Sequence, residues 1–343
     1  VLEWMSELPD AVWQQHAPPG WTVAVAVAAL ALLLAPRGLP GRWLGVAGLL
    51  PLFTVMPVAL RAGDVEVVVL DVGQGLAALV RTERHALLYD TGPQFGPGAD
   101  SGSRIIVPYL RAAGVRRLDG LVVSHDDDDH WGGAASVLQA LPVDWLLTSL
   151  PDLDPLVVRT EPAVRCEAGQ RWEWDGVRFE VLHPARESYQ DPAIKENDRS
   201  CVLRVEAGGR RIVLPADMER RTEESLLRRE RDRLRTDVLL APHHGSRTSS
   251  IPDFVHATSP RIVVFPVGYR NRFGHPHREV LRRYADIGAH IYRTDRDGAV
   301  TIAVRASGVI SVTPYRALYK RYWHTQPEND PVPEPEELRN DER

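Results

Sequence analysis

The densest chemistry in the chain lies in SHDDDDHWGG, Ser124 to Gly133. An apolar run, LDGLVVS, leads into His125, then Asp126, Asp127, Asp128 and Asp129, then His130, and a glycine pair follows. Adjacent carboxylates repel one another, and on an open surface such a run is only a solvated charge patch. Here it stands between a buried strand and a glycine turn, bracketed by imidazoles. Imidazole and carboxylate ligands together suit Zn²⁺, Mn²⁺ or iron, and a bound divalent cation offsets the repulsion. The segment is expected to hold metal.

Two downstream segments suit an anionic substrate. HHGSRTSS supplies Ser246, Arg247, Thr248 and Ser249 in a loop ahead of an expected helix. Hydroxyls, a guanidinium and helix N–H groups would cradle a phosphate; helix capping is the other reading. YRNRFGHPH adds Arg270, Asn271, Arg272 and His275. His275 is a candidate leaving-group acid or phosphate ligand, against a structural role. RALYKRYW combines basic residues with Tyr319, Tyr322 and Trp323, types that stack on bases of single-stranded DNA. RRTEESLLRRERDRLR interleaves acids with its arginines and reads as a solvated helix face.

The elements that must position these groups begin at Asp64, where short β-branched runs alternate with Gly, Pro and Asp. DVEVVVLD, HALLYD, LDGLVVS, SCVLRVEAG, RRIVLPAD and DVLLAP read as strands, with a hairpin at Gly208-Gly209. HREVLRRYADIG reads as a helix. Many strands with a few helices imply an α/β or α+β fold of layered sheets. Upstream, WTVAVAVAALALLLA (Trp21 to Ala35) and WLGVAGLLPLFTVMPVAL (Trp43 to Leu60) carry no charge. The second approaches the about 17–25 residues that span a bilayer core, and each opens on Trp, which favours the interface. Residues 1–62 are therefore expected to end a transmembrane region with two helices, against a reading as buried core helices. Arg37 and Arg42 would place the loop between them in the cytoplasm and everything after Arg61 outside. The stretch lacks the pattern of a cleavable signal peptide, and the opening Val1 points to the C-terminal piece of a longer protein. Residues 63–315 form the expected folded domain. Residues 316–343 are an acidic, Pro-rich tail, expected to be disordered. A net charge of −5 over 343 residues excludes a chain that is basic overall, although the tail masks any local basic surface. Cys166 and Cys201 lack C-x-x-C spacing, which leaves two buried thiols or an extracytoplasmic disulfide open.

The spacing His125-x-Asp127-x-Asp129-His130 resembles the H-x-[HD]-x-D-H signature of the metallo-β-lactamase superfamily. The resemblance implies a four-layer αββα sandwich holding two divalent metals, with His125 and Asp127 on one and Asp129 and His130 on the other. Asp127 stands where many members have His, which makes the first site richer in oxygen and favours Mn²⁺ over Zn²⁺. By the same resemblance Asp90 of YDTG braces the metal loop and Asp217 of IVLPAD bridges the metals. His243 of HHGS is the last metal ligand, and His244 faces substrate. The middle histidine of the superfamily has three stand-ins here, His183, Asn197 and Asp198, of which Asp198 is taken as the metal ligand.

More narrowly, LDVGQG (Leu70 to Gly75), END-x-S (Glu196 to Ser200), HHGS and GHPH resemble the C-terminal hydrolase domain of the ComEC family of DNA-uptake competence proteins, over about residues 20–315. That implies a two-metal nuclease which degrades the non-imported strand during natural transformation. It would lie on the extracytoplasmic side of a bacterial cytoplasmic membrane. Its partners would be single-stranded DNA, the membrane, the channel region of the same polypeptide and other competence proteins. Asp129, Asp217 and His275 would be catalytic, and His244, Ser246, Arg247, Ser249 and Asn271 would bind substrate. LDVGQG and HHGS also occur in soluble relatives, including phosphocholine esterases. A small-substrate phosphodiesterase is therefore the alternative, with a non-catalytic DNA-binding module as a third reading.

Overall fold

The computed structural model describes residues 15–36, 38–56 and 59–324. Arg37 and most of the expected acidic tail lie outside the described residues. The chain divides into two compact units, Val1–Ala59 with Val107–Arg116, and Leu60–Ile106 with Arg117–Arg343.

In the first unit α1 (Gly20–Leu34) and α2 (Leu44–Thr54) pack as a hairpin. Small residues bring the two backbones together: a Cβ on Gly45 would lie 2.6 Å from the Ala29 carbonyl oxygen, and one on Gly48 would lie 2.7 Å from the Ala29 Cβ. Trp21, Val27, Leu30, Val46 and Phe53 remain exposed. α1 has 15 residues; α2 has 11 and ends one turn beyond its internal Pro51, which cannot donate to the helix ladder. At about 1.5 Å per residue they measure roughly 22 and 16 Å, against a bilayer core of about 30 Å. Among the described residues no helix is long and apolar enough to cross a membrane. Within the two stretches, the described helices form a short apolar hairpin.

The second unit is built on two sheets. In chain order the strands are β1 (Val65–Val69), β2 (Ala78–Arg81), β3 (Ala86–Tyr89), β4 (Gln94–Gly96), β5 (Ala99–Asp100), β6 (Gly120–Val123), β7 (Leu146–Thr148), β8 (Ala163–Arg165), β9 (Arg171–Trp174), β10 (Val177–His183), β11 (Val202–Ala207), β12 (Arg210–Leu214), β13 (Val238–Leu240), β14 (Ile262–Phe265), β15 (His290–Arg293), β16 (Val300–Val304) and β17 (Ile310–Pro314). The first sheet runs β17-β16-β1-β2-β3-β6-β7-β8 and the second β15-β14-β13-β12-β11-β10-β9; β4 and β5 pair separately. β3, β6, β7 and β8 are parallel in the first sheet, as are β12 to β15 in the second. Gly208 and Gly209, both at positive φ, make the expected two-residue turn between β11 and β12.

Strand periodicity explains the layering. Val65, Val67, Val69, Leu203, Val205, Ile212 and Leu214 point into one core between the sheets. The alternate residues Val202 and Val213, with Leu239 and Val263, face a second core under helices on the outer side. Those helices are α5 (Arg220–Glu230), α6 (Pro252–Thr258) and α7 (Arg278–Asp286), contributing Leu226, Phe254, Val255, Val280 and Tyr284; the earlier α3 (Asp128–Trp131) and α4 (Ala134–Ala140) follow β6. Strands covered on both faces need continuous apolar runs, which is why RRIVL and DVLL show no alternation. Cys166, just past β8, and Cys201, just before β11, form a disulfide with Cα atoms 6.0 Å apart, which ties the two sheets together.

Candidate metal centre

Two pairs of parallel strands, β3 with β6 and β12 with β13, end at the site, and each strand hands over a polar residue: Asp90 after β3, Ser124 and His125 after β6, Asp217 after β12, and His243 and His244 after β13. Strand carboxyl ends are where ligand sites form in α/β sheets. The turns are tight. Gly75 of LDVGQG has φ +136°, and a Cβ there would lie 2.3 Å from the Asp129 carbonyl oxygen; that same carbonyl accepts the Leu76 N–H at 3.0 Å. The Gly-Gln-Gly turn is thereby pressed against the backbone of the aspartate run.

Three imidazoles are oriented by what holds their Nδ1 atoms. His130 Nδ1 donates to Asp90 Oδ2 at 2.8 Å. Asp90 also accepts the Ser124 N–H at 2.7 Å and the Ser124 hydroxyl at 2.8 Å. With its hydrogen committed to Asp90, the Ser124 oxygen accepts from His125 Nδ1 at 2.9 Å. His244 Nδ1 donates to the Pro266 carbonyl at 2.8 Å. In the neutral ring a protonated Nδ1 leaves Nε2 as a lone-pair donor, the arrangement that partners beyond the ligands impose on metal-binding histidines. All three rings and Asp90 are buried.

The Nε2 atoms meet the carboxylates. His130 Nε2 lies 3.0 Å from Asp217 Oδ1 and 4.0 Å from Asp129 Oδ1, and 3.2 Å from His244 Nε2. His244 Nε2 lies 3.3 Å from both Asp129 Oδ2 and Asp217 Oδ1. His125 Nε2 lies 3.3 Å from Asp127 Oδ2. Two ligand groups result, His125–His130–Asp217 and Asp129–His130–His244, each with its ligand atoms within 4.8 Å of one another. Burial would raise the Asp129 pKa, but the His244 hydrogen bond and the His130 charge outweigh it and hold the carboxyl at about 2. Asp217 is likewise pushed well down, against its burial, by His130 and His244. His130 is pushed up, against its own burial, by Asp217 and Asp90. His125 Nε2 and Asp217 Oδ1 are buried without a hydrogen-bond partner, which native interiors rarely tolerate. A divalent cation between them would satisfy both, so the donor set fits a metal.

The other expected site residues divide. His243, expected as the last ligand, lies at the rim, its Nε2 3.5 Å from Asp217 Oδ2 and its Nδ1 3.0 Å from the Thr248 hydroxyl, while His244, expected to face substrate, lies inside the cluster. Asp198 stands apart from the two ligand groups. Its Oδ1 accepts the Thr222 hydroxyl at 2.9 Å and the Glu219 and Thr222 N–H groups, so it caps α5. His183 Nε2 donates to the Asp198 carbonyl at 2.7 Å. Asn197 is half-buried in the same turn. Ser249 is buried and donates to the Met218 carbonyl, and Asn271 bonds the backbone of Gly268 and His275, so both brace loops and neither faces a ligand. Just ahead of α6, the backbone N–H groups of Ser250 and Ile251 are taken by the Glu223 carboxylate. Ser246 is paired with Thr248 at 3.1 Å, and Arg247 is exposed. The His275 ring lies 5.8 Å from His243, and burial, with the nearby His244 and His243, lowers its pKa to about 4. Ser124 was not anticipated, although its place before His125 marks it as a strand-end polar residue. Nor was a cleft of about 240 Å³ beside the metal loop, lined by Asp126, Leu150, Arg165, Tyr189 and Arg199.

A family model described as Metallo-beta-lactamase superfamily matches residues 70–268. The chain is 40% identical over 324 residues to Competence protein ComA of Neisseria gonorrhoeae, covering 92% of this chain and 44% of that protein. It is 33% identical over 233 residues to Recombination protein 2 of Haemophilus influenzae, covering 68% and 28% respectively. It is 29% identical over 282 residues to ComE operon protein 3 of Bacillus subtilis, covering 77% and 36%. The chain thus spans less than half the length of these curated relatives. The matched fold is that of metal-dependent hydrolases and binds divalent metals, usually two, in keeping with the clustered His and Asp side chains. The chain belongs to the metallo-β-lactamase superfamily and, within it, to the ComEC family of competence proteins.

Proposed function

We propose that this chain is the metal-dependent phosphodiesterase part of a DNA-uptake protein, acting on DNA as a nuclease. The observation that carries the reading is the set of three buried imidazoles with Nε2 turned onto Asp129 and Asp217. His125 and Asp127 would hold one ion, and Asp129, His130 and His244 the other, with Asp217 between. Such ions supply Lewis-acid stabilisation of phosphoryl charge and a nucleophile at neutral pH, by lowering the pKa of water to about 7. The half-exposed Asp127 adds oxygen to its group, which favours Mn²⁺. Asp90 and Ser124 fix the tautomers of two rings, and the Pro266 carbonyl that of the third. His275 and His243 stand at the rim, where an imidazole N–H can donate to a phosphoryl oxygen or to the leaving group. Arg247, Arg270 and Arg272 offer positive charge to the flanking phosphates.

Relatives named for competence and recombination support DNA as the substrate. The exposed apolar faces of α1 and α2 support contact with a membrane or with the remainder of a longer chain. The Cys166–Cys201 disulfide supports an oxidising, extracytoplasmic compartment. The test is cleavage of a labelled single-stranded oligonucleotide by the full chain with Mn²⁺ or Zn²⁺, with Asp129→Ala alongside. Metal-dependent cleavage lost in the variant is expected. Turnover of bis-p-nitrophenyl phosphate without cleavage of DNA would move the reading to a small-substrate diesterase.

A further inference from the structure

We propose that Tyr269 and Phe273 form a base-stacking platform that receives single-stranded nucleic acid beside the metal centre. The proposal deepens the phosphodiesterase reading and rests on it for the identity of the ligand. Both rings lie on the loop between β14 and α7, and both are held out of the core: Tyr269 is 61% and Phe273 48% exposed. Each has its own guanidinium. Arg270 Cζ lies 5.2 Å from the Tyr269 ring centroid, and Arg272 Cζ lies 4.8 Å from that of Phe273. Aromatic faces take bases of any sequence, and arginines track the strand's phosphates, the pairing that single-strand binders use.

Phe273 is continuous with the site. Phe273 stacks on His275 with centroids 5.7 Å apart, His275 meets His243 at 5.8 Å, and His243 Nε2 lies 3.5 Å from Asp217 Oδ2. The loop is also braced. The Asn271 side chain donates to the Gly268 and His275 carbonyls and accepts the His275 N–H. The Gly268 N–H donates to Gln74 Oε1 at 3.3 Å, and a Cβ on Gly268 would lie 2.5 Å from the Gln74 nitrogen. The exposed rings are therefore presented by a fixed backbone, which lowers the entropy lost on binding. Bases stacked inside a duplex cannot reach such rings, so the platform selects unpaired strands. Exposed aromatics with arginines also suit a lipid interface. The place of Phe273, two rings away from Asp217, favours nucleic acid.

The test uses the full chain in chelator, so that binding is read without turnover. Fluorescence anisotropy compares an oligothymidylate with an abasic strand of equal length, for wild type, Tyr269→Ala, Phe273→Ala and Phe273→Trp. Each alanine variant is expected to bind the thymidylate about 5- to 150-fold more weakly, the span of stacking on one base. Binding to the abasic strand stays unchanged, and Phe273→Trp restores the thymidylate affinity. Equal losses on both strands, or no loss on either, would overturn the platform. So would weaker binding to phosphatidylglycerol vesicles with unchanged binding to thymidylate, which assigns the patch to lipid. Failure of the hydrolase reading is separable: base-selective binding without metal-dependent cleavage keeps the platform and sinks the enzyme, and cleavage without base selectivity does the reverse.

Discussion

Replacing Asp90 by Asn should weaken metal binding by a route that passes through two rings at once. The Asp90 carboxylate accepts three hydrogen bonds, from Ser124 N, Ser124 Oγ and His130 Nδ1, at 2.7, 2.8 and 2.8 Å. An asparagine keeps one acceptor. If its oxygen stays on the Ser124 N–H, its amide N–H₂ faces the Ser124 hydroxyl and His130 Nδ1. His130 must then accept at Nδ1 and carry its proton on Nε2. The Ser124 hydroxyl must turn its hydrogen towards His125 Nδ1, 2.9 Å away, which moves the His125 proton to Nε2 as well. The opposite amide orientation sets two buried donors against each other at Ser124 N, a cost of about 1–3 kcal/mol. In the first case two Nε2 lone pairs are withdrawn from the cluster. Loss of one partner beyond the ligands typically costs about 10- to 100-fold in metal affinity, and two affected rings place the expected loss at the upper end, about 2.8 kcal/mol. Isothermal titration of metal-stripped protein with Mn²⁺ and Zn²⁺ measures it, with near-ultraviolet dichroism reporting the fold. A folded Asp90→Asn protein that binds either ion within about threefold of wild type would refute the tautomer argument.

Three further outcomes follow from other parts of the site and fold. Gly75→Ala drives a Cβ to 2.3 Å from the Asp129 carbonyl at φ +136°, so metal affinity should drop at least about tenfold with the sheets intact; unchanged affinity would mean the LDVGQG turn does not position Asp129. Removing the disulfide with Cys166→Ala and Cys201→Ala frees a 35-residue loop and should cost about 4 kcal/mol in urea unfolding; a loss near zero would show the bridge to be dispensable. Burial pushes the Glu223 carboxyl up from 4.5 to about 7, although it accepts the Ser250 and Ile251 N–H groups. A raised carboxyl stabilises the fold fully below about pH 4.5 and loses that contribution by about pH 7, so relative to Glu223→Gln the wild type should lose up to about 3 kcal/mol across this window. A constant difference between the two proteins would exclude the shift.

How much of this was legible depends on where each side chain finds its partner. The metal loop was legible because six chemical residues sit within one short stretch, and the strand ends because apolar runs stop at Asp217 and His243. Contacts made across the fold were not. Asp198 has the ligand's residue type, but α5, packed against it, claims the carboxylate for two backbone N–H groups and Thr222. Ser249 and Asn271 fit a phosphate cradle by type, and the same donors serve backbone carbonyls equally well. Glu223 lies in a helix that reads as a charged, solvated face, yet it is buried and holds the segment entering α6. The disulfide depends on the stacking of two sheets, and no spacing rule reveals it.

The structure gathers His244 rather than His243 with Asp129 and His130 for a backbone reason that also explains how the centre is assembled. Strand alternation would send the two rings to opposite faces. Both residues instead take left-handed conformations, φ 49° and 55°, and so do Ala216 at 48°, just before Asp217, and Asp90 at 58°. Such conformations cost about 1–2 kcal/mol per ordinary residue, less for Asp and His. They fall at three of the strand ends, where the chain must leave a sheet and immediately aim a ligand or its support into the gap between the sheets. The flanking strands are buried on both faces and hold these turns in place. The resulting cluster packs ionised Asp129 and Asp217 against His130 and His244, whose pKa values are raised, against their burial, by Asp217 and Asp90 at His130 and by Asp217 and Asp129 at His244. Protons on the imidazoles and cations between the ligands therefore compete for one set of carboxylates. Metal binding must expel the protons, and so it strengthens as pH rises.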